Sequence, residues 1–249
     1  MTLIERLSVL RKHGGKARTT GLPDDVIEKF AALDATLPAA IEAAHEEFTH
    51  LLSDEAELLG LDEAAQAKAI QEGYVNFYAD DAVNPYVAIA ARGPWIVTLK
   101  GAVLYDVGGY GMIGAGHAPE AVLEAMNKKH VMANVMTPSI SQKHLVERLR
   151  REIGHSRGGC PFPKFICVNS GSEAVTVAAR LSDINAKIMT DPGGRYANRS
   201  TRILSIKGSF HGRTQRPAQF SDSTRQTYCK YLASFRDSDN LITVEPNDV

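Results

Sequence analysis

One stretch constrains this chain more than any other: Phe165-Ile166-Cys167-Val168-Asn169-Ser170-Gly171-Ser172-Glu173-Ala174. The apolar run 165–168 predicts a short buried strand. It passes directly into a predicted helix whose apolar positions, Ala174, Val177, Ala178, Leu181 and Ile184, recur three and four apart. Ser170 and Glu173 fit a capping box, with Ser170 as N-cap and Glu173 as the third helical residue. Gly171 and Ser172 then occupy the first turn, where backbone N–H groups have no intrahelical acceptor. Glycine lets an anion approach the backbone, a serine hydroxyl adds a donor, and the helix dipole favours negative charge. The pattern therefore suits a phosphate seat. An ordinary strand, turn and capped helix satisfies the same spacing, and Glu173 brings an anion of its own.

Composition sets the outer bounds. With 249 residues and 44% hydrophobic content, the chain can bury a core in one or two domains. Its 28 basic and 29 acidic residues leave a net charge of -1, which is no footprint for nucleic acid or an anionic membrane. No apolar run approaches the roughly 20 residues that span a bilayer. The opening Met1-Thr2-Leu3-Ile4-Glu5-Arg6-Leu7 mixes charge into a short apolar pattern, unlike a secretory signal. Cys160, Cys167 and Cys229 form no metal-spaced cluster, and their odd number argues against a disulfide framework. We expect a soluble, cytoplasmic protein with reduced thiols that binds neither nucleic acid nor membrane.

Residues 1–73 read as helical. Leu3, Leu7 and Leu10 share one face of a short helix that Gly14 and Gly15 end. Pro23-Asp24-Asp25 suits another helix start, the segment 41–59 is rich in Ala, Glu and Leu, and a further helix fits 62–71. His45 and His50 are five apart and point to different helix faces, unlike the zinc-binding HExxH pair, so no metal site is expected. This segment reads as an N-terminal cap or dimerisation element. Aromatic residues, Pro85 and Asp80-Asp81 suggest irregular chain over 74–91, followed by a hairpin of 95–99 and 102–105 around Lys100-Gly101.

Gly109, Gly111 and Gly114 form a literal GxGxxG. In a dinucleotide fold the third glycine opens a helix and an acid ends the next strand. Here the next helix starts at Pro119-Glu120 and the sequel 131–136 carries no acid, so the glycines suit a tight loop. A nicotinamide-dependent oxidoreductase stays as the outside alternative. Helices are predicted over 119–129 and 141–152, an exposed loop over 154–163, and strands over 203–206 and 240–244. The alternation argues for an α/β domain with a largely parallel sheet.

The strand 203–206 runs into Lys207-Gly208-Ser209-Phe210-His211-Gly212-Arg213-Thr214. An aromatic and an imidazole beside a glycine could face a planar ring at the edge where open α/β sheets bind ligands. A core-edge phenylalanine with a solvated histidine fits as well. A phosphate seat at one strand end and a stacking aromatic at another together meet the needs of a phosphorylated aromatic cofactor.

The two motifs in this order, residues 169–174 and then 209–214, resemble the class-III pyridoxal-phosphate-dependent aminotransferases, the ornithine and 4-aminobutyrate aminotransferase group. Leu104-Tyr105-Asp106-Val107-Gly108-Gly109, leading to Gly116-His117-Ala118-Pro119-Glu120-Ala121-Val122, resembles that family's N-terminal strands and its Gly-His-x-Pro element. The resemblance implies the α/β PLP-transferase fold type I, with a mostly parallel mixed sheet flanked by helices in a large domain and a smaller domain built from both chain ends. It implies a dimer and the cofactor pyridoxal 5'-phosphate. Ser170, Gly171 and Ser172 would lie at its phosphate, Phe210 would stack on its ring, and His211 would stand beside it. The implied reaction moves an amino group from an amino acid or ω-amine to a 2-oxo acid. Racemisation, aminomutase chemistry or decarboxylation on the same scaffold, or a non-catalytic subunit, are the alternatives.

The departure is as informative. The family's Schiff-base lysine and the aspartate at the pyridinium nitrogen lie well downstream of the second motif. Glu245-Pro246 is followed by Asn247-Asp248-Val249 rather than by the family's EPxxG pattern, Lys207 precedes the aromatic motif, and Lys230 has no supporting context. We therefore expect no catalytic residue in this chain and a fold incomplete within it. A second polypeptide would carry the C-terminal half, and the chain would be inactive without it. The expected organisation is an N-terminal helical extension (1–73), an N-terminal part of the small domain with its connection (74–130), and the first part of the large cofactor-binding domain (131–249).

Overall fold

A computed structural model describes residues 1–75, 83–108, 114–131, 134, 136–235 and 241–247. The chain divides into two compact units, Met1–Met132 and Ala133–Val249. The first contains α1 (Leu3–Lys12), α2 (Asp24–Ala31), α3 (Thr36–Asp54), α4 (Ala56–Gly60), α5 (Glu63–Gln71), β1 (Ala88–Arg92), β2 (Trp95–Thr98), β3 (Val103–Tyr105) and α6 (Glu120–Met126). The three strands form an antiparallel sheet in the order β1-β2-β3.

The centre of this unit is α3. Leu37, Ala40, Ile41, Ala44 and Phe48 recur on one helical face, and all are buried. They join Leu7 and Leu10 of α1, Ile27 of α2, and Trp95, Val97 and Val103 of the sheet in one apolar cluster. The predicted hairpin is present, closed by Gly101 N–H donating to Thr98 O at 2.8 Å. Gly101 is required there: its φ is +70°, and a Cβ would lie 2.8 Å from Arg11 Cγ. Segment 88–92, expected to be irregular, is a strand, because pairing with β2 recruits an alanine-rich run of weak intrinsic β preference. The Asp80-Asp81 turn and Gly109 and Gly111 of the GxGxxG lie outside the described residues.

Polar side chains stitch the helices to the sheet. Buried Glu63 accepts from the N–H groups of Arg18 (2.6 Å) and Thr19 (2.7 Å) through Oε2. Buried Lys100, on the hairpin, donates to the carbonyls of His13 and Leu59, both at 3.2 Å, and burial pushes its pKa down. The helical segment and the sheet thus share one core, and the boundary expected at residue 73 falls inside a packed unit. The physical reason is that the buried face of β2 needs apolar cover, which α3 supplies with α1 packed against it.

Asp34, just ahead of α3, accepts from the Thr36 hydroxyl (2.6 Å), Trp95 Nε1–H (2.7 Å) and Thr36 N–H (2.9 Å). These bonds, the Thr36 hydroxyl foremost, hold its carboxyl below the ordinary 3.8. A depressed folded pKa contributes stability that is present above the unfolded value and lost as pH falls through the folded one. Trp95 is the sole tryptophan, so its fluorescence reads this unit. The advantage of wild type over Asp34→Ala in urea unfolding is therefore expected at neutral pH and should shrink below pH 3.8. A gap that does not change with pH rules this out.

The second unit holds α7 (Ile140–Gly154), α8 (Gly171–Thr190), β4 (Ile203–Ile206), α9 (Gln215–Ala218), α10 (Asp222–Tyr231), a 3₁₀ turn (Ala233–Phe235) and β5 (Leu241–Val244). The predicted strands β4 and β5 pair in parallel, Ile203 opposite Leu241 through Ile206 opposite Val244. The run 165–168 is no strand, although α8 begins where expected. A strand exists only through its ladder, and these residues have none; Ile166 and Val168 are exposed. Leu181, Ile184 and Ile188 of α8 and Leu204 and Ile206 of β4 are likewise exposed. Most buried residues described in this unit gather instead around the loop after β4, namely Ser205, Gly212, Pro217, Ala218 and Ser221, with Phe235 and Gly154 buried apart from it.

Candidate functional site

The site begins at the N-terminus of α8. Ser170 is the N-cap, its hydroxyl accepting from Glu173 N–H at 3.2 Å. The reciprocal half of the expected box is shifted by one residue: the Glu173 carboxylate accepts from Asn169 N–H at 2.8 Å. Its charge is thereby held at the residue before the cap. Nothing lies within 4 Å of a Cβ built on Gly171, so the space before this first turn is open. The N–H groups of Gly171 and Ser172 have no acceptor within the helix.

The loop after β4 docks on this turn. Arg213 N–H donates to Ser172 Oγ at 3.2 Å, and the Thr214 hydroxyl reaches Ser172 O at 3.4 Å. Thr176, one turn into α8, donates to Ser172 O at 2.8 Å and lies 3.2 Å from the Thr214 hydroxyl. At Gly212, where φ is +118°, a Cβ would sit 2.4 Å from Ser172 Oγ, so only glycine permits the approach. A hydroxyl that accepts from Arg213 N–H keeps its own hydrogen for a ligand.

Phe210 is 49% exposed, with the Arg213 guanidinium 5.3 Å from its ring centroid. His211 is turned into the loop: Nε2 lies 3.2 Å from Ser209 Oγ and 3.3 Å from Ser205 Oγ, and its ring packs 5.4 Å from that of Phe220. The five residues singled out in the sequence therefore occupy one region of this unit. Ser170, Gly171 and Ser172 form the helix start, Phe210 lies on the exposed side of the docked loop, and the His211 imidazole serves as a loop contact. Sequence reasoning missed Ser205, Ser221 and Asp222, which support that loop. Ser221-Asp222 ahead of a helix is an N-cap signature, and it was the available signal.

Neither lysine near the motifs is set up as a nucleophile. Lys207 pairs with Glu245, whose hydrogen bond and charge raise its pKa above 10.5. Lys230 Nζ lies 5.0 Å from the Tyr231 ring centroid. Among the described residues no group of three His, Cys, Asp or Glu could hold a metal ion, and no helix is long and apolar enough to cross a membrane. In the first unit, His117 of the Gly-His-x-Pro element lies 3.0 Å from Asp106.

The fold is that of a PLP-dependent transferase. The ornithine aminotransferase of Toxoplasma gondii ME49 superposes with a TM-score of 0.53 at 14% identity, over 79% of this chain and 44% of that one. A second Toxoplasma gondii ornithine aminotransferase structure, crystallized with oxidized glutathione and holding PLP at partial occupancy in its active site, gives 0.53 at 16% identity, over 79% and 43%. The chain thus spans less than half the length of the solved structures it matches. Residues 77–247 match the class-III aminotransferases, and the chain belongs to that family. No curated protein matches it. The family's cofactor is pyridoxal 5'-phosphate. The residues present fit its phosphate: a helix start open before Gly171, two N–H groups without intrahelical acceptors, and a serine hydroxyl with its hydrogen to give.

Proposed function

We propose that this protein transfers an amino group from an amino acid or ω-amine to a 2-oxo acid, and that this chain supplies the phosphate-binding and ring-stacking half of the pyridoxal phosphate site. The observation that carries the reading is the docking of the 209–214 loop on Ser172, which joins Ser172 and Arg213, 41 residues apart, at one open helix start. In this reading Gly171 and Ser172 donate N–H groups to the phosphate, and the α8 dipole adds to their pull. The Ser172 hydroxyl adds a third donor. Phe210 offers its ring as an apolar platform and excludes water from one side of the cofactor. When bound, pyridoxal phosphate supplies the electron sink for the carbon that bears the amine.

On this reading the catalytic lysine and the aspartate at the pyridinium nitrogen lie outside residues 1–249, and these residues alone do not catalyse the transfer. Supporting this, Lys207 is committed to Glu245, and the apolar faces of α8 and β4 stand exposed, as surfaces awaiting a packed neighbour do. The complete enzyme would be a homodimer.

Binding of pyridoxal phosphate and of pyridoxal to the purified chain, with any polypeptide that co-purifies, tests the reading. Wild type is expected to prefer the phosphorylated form. Ser172→Ala should weaken pyridoxal phosphate by roughly 10- to 100-fold, the range for losing a hydrogen bond to a charged group, and leave pyridoxal unchanged. A wild type indifferent to the phosphate sinks it. Borohydride trapping is expected to label a lysine outside residues 1–249, and product analysis of the catalytically complete protein would separate transamination from racemase, aminomutase or decarboxylase chemistry.

A further inference from the structure

An N-cap serine ordinarily spends its hydroxyl on the first turn of its own helix. Ser221, the N-cap of α10, makes no such bond. Its side chain is fully buried and points away from α10. There its hydroxyl oxygen accepts from His211 N–H at 2.8 Å and lies 3.1 Å from Gly212 O and 3.0 Å from Pro217 O. The next residue does the same kind of work: Asp222 Oδ2 accepts from Gly208 N–H at 2.7 Å. Ser223 N–H then donates to Ser209 O at 3.1 Å. Three consecutive residues therefore hold the 208–212 loop from the side of α10, while Ser172 receives the next N–H, that of Arg213, from the side of α8.

We propose that Ser221, assisted by Asp222, is a positioning residue for the cofactor phosphate. It fixes His211 and Gly212 so that Arg213 N–H occupies a lone pair of Ser172 Oγ, and this directs the Ser172 hydrogen toward the open space before Gly171. The inference rests on the cofactor reading above. It extends the site to a residue that touches neither cofactor nor substrate. The geometry favours this role over a general packing one, because the buried hydroxyl forgoes its own helix and bridges the Phe210–His211 and Gly212–Arg213 peptide units.

The test is a binding comparison on the full chain with any co-purifying polypeptide. Affinities for pyridoxal phosphate and pyridoxal are measured for wild type, Ser221→Ala, Ser172→Ala and the double variant. Removing the clamp is expected to weaken pyridoxal phosphate by roughly tenfold, the scale of one hydrogen bond in a binding equilibrium, and to leave pyridoxal unchanged. The double variant should be no weaker than Ser172→Ala alone, since both changes act through one hydroxyl. Asp222→Ala, at a half-buried residue, should show the same selective loss at smaller size and carries the test if Ser221→Ala does not fold. Equal losses for both ligands, additive losses in the double variant, or no loss overturns the inference while wild type still prefers the phosphorylated form. A wild type without that preference removes the cofactor reading, and the inference with it.

Discussion

Gly212→Ala is expected to lift the 209–214 loop off α8 and abolish the preference for pyridoxal phosphate over pyridoxal. Two independent effects act at this position. The backbone sits at φ +118°, a conformation that costs a residue with a Cβ about 1–3 kcal/mol. The new methyl would also lie 2.4 Å from Ser172 Oγ, 2.9 Å from its Cβ and 3.0 Å from its Cα. Rotating Ser172 relieves only the first of these contacts, so backbone must move. Gly171→Ala makes the informative contrast. Nothing lies within 4 Å of its built Cβ, so that variant should fold normally, yet its methyl projects into the space proposed for the phosphate. Both variants are expected to lose the preference, but only Gly212→Ala should also lower the thermal unfolding temperature. Retention of the preference by Gly212→Ala would show that the loop and the helix start do not form one site.

Phe48→Ala should have the largest effect on stability, about 3–5 kcal/mol, the usual cost of removing a fully buried phenylalanine. Phe48 is 1% exposed and meets the His13 ring edge-on at 5.3 Å. The same variant tests whether the N-terminal helices and the sheet are one cooperative unit. Phe48 lies on α3, whereas Trp95, the sole tryptophan, lies on β2. Sharing one core, the two report together, and the Trp95 unfolding transition in urea should shift by the full amount. If the Trp95 transition stays put while helical circular dichroism is lost earlier, residues 1–73 are a separate module.

What was legible in the sequence was local. Ser170 capping α8 and Lys100-Gly101 turning the hairpin are each decided within a few residues, by hydrogen bonds between near neighbours. The paired motifs also sufficed to place the chain among the class-III aminotransferases. Three errors share the opposite cause. The run 165–168 has strand composition and no ladder; the run 88–92 has poor strand composition and a ladder. The helices α9 and α10 are absent from the sequence expectation because residues 215–231 lack an apolar period.

By itself, then, the sequence determined where α8 is capped, where the hairpin turns, and which two motifs could serve a phosphorylated ring. Only the tertiary structure decided that the loop carrying Phe210 docks on Ser172, that the His211 ring turns inward, that Ser221 abandons its own helix to hold the loop, and that the N-terminal helices belong to the core under the sheet. A cap is a contact between residues three apart and leaves its mark in a short pattern. A ladder or a docked loop is a contact between segments tens of residues apart, and neither segment alone carries the geometry of the pair.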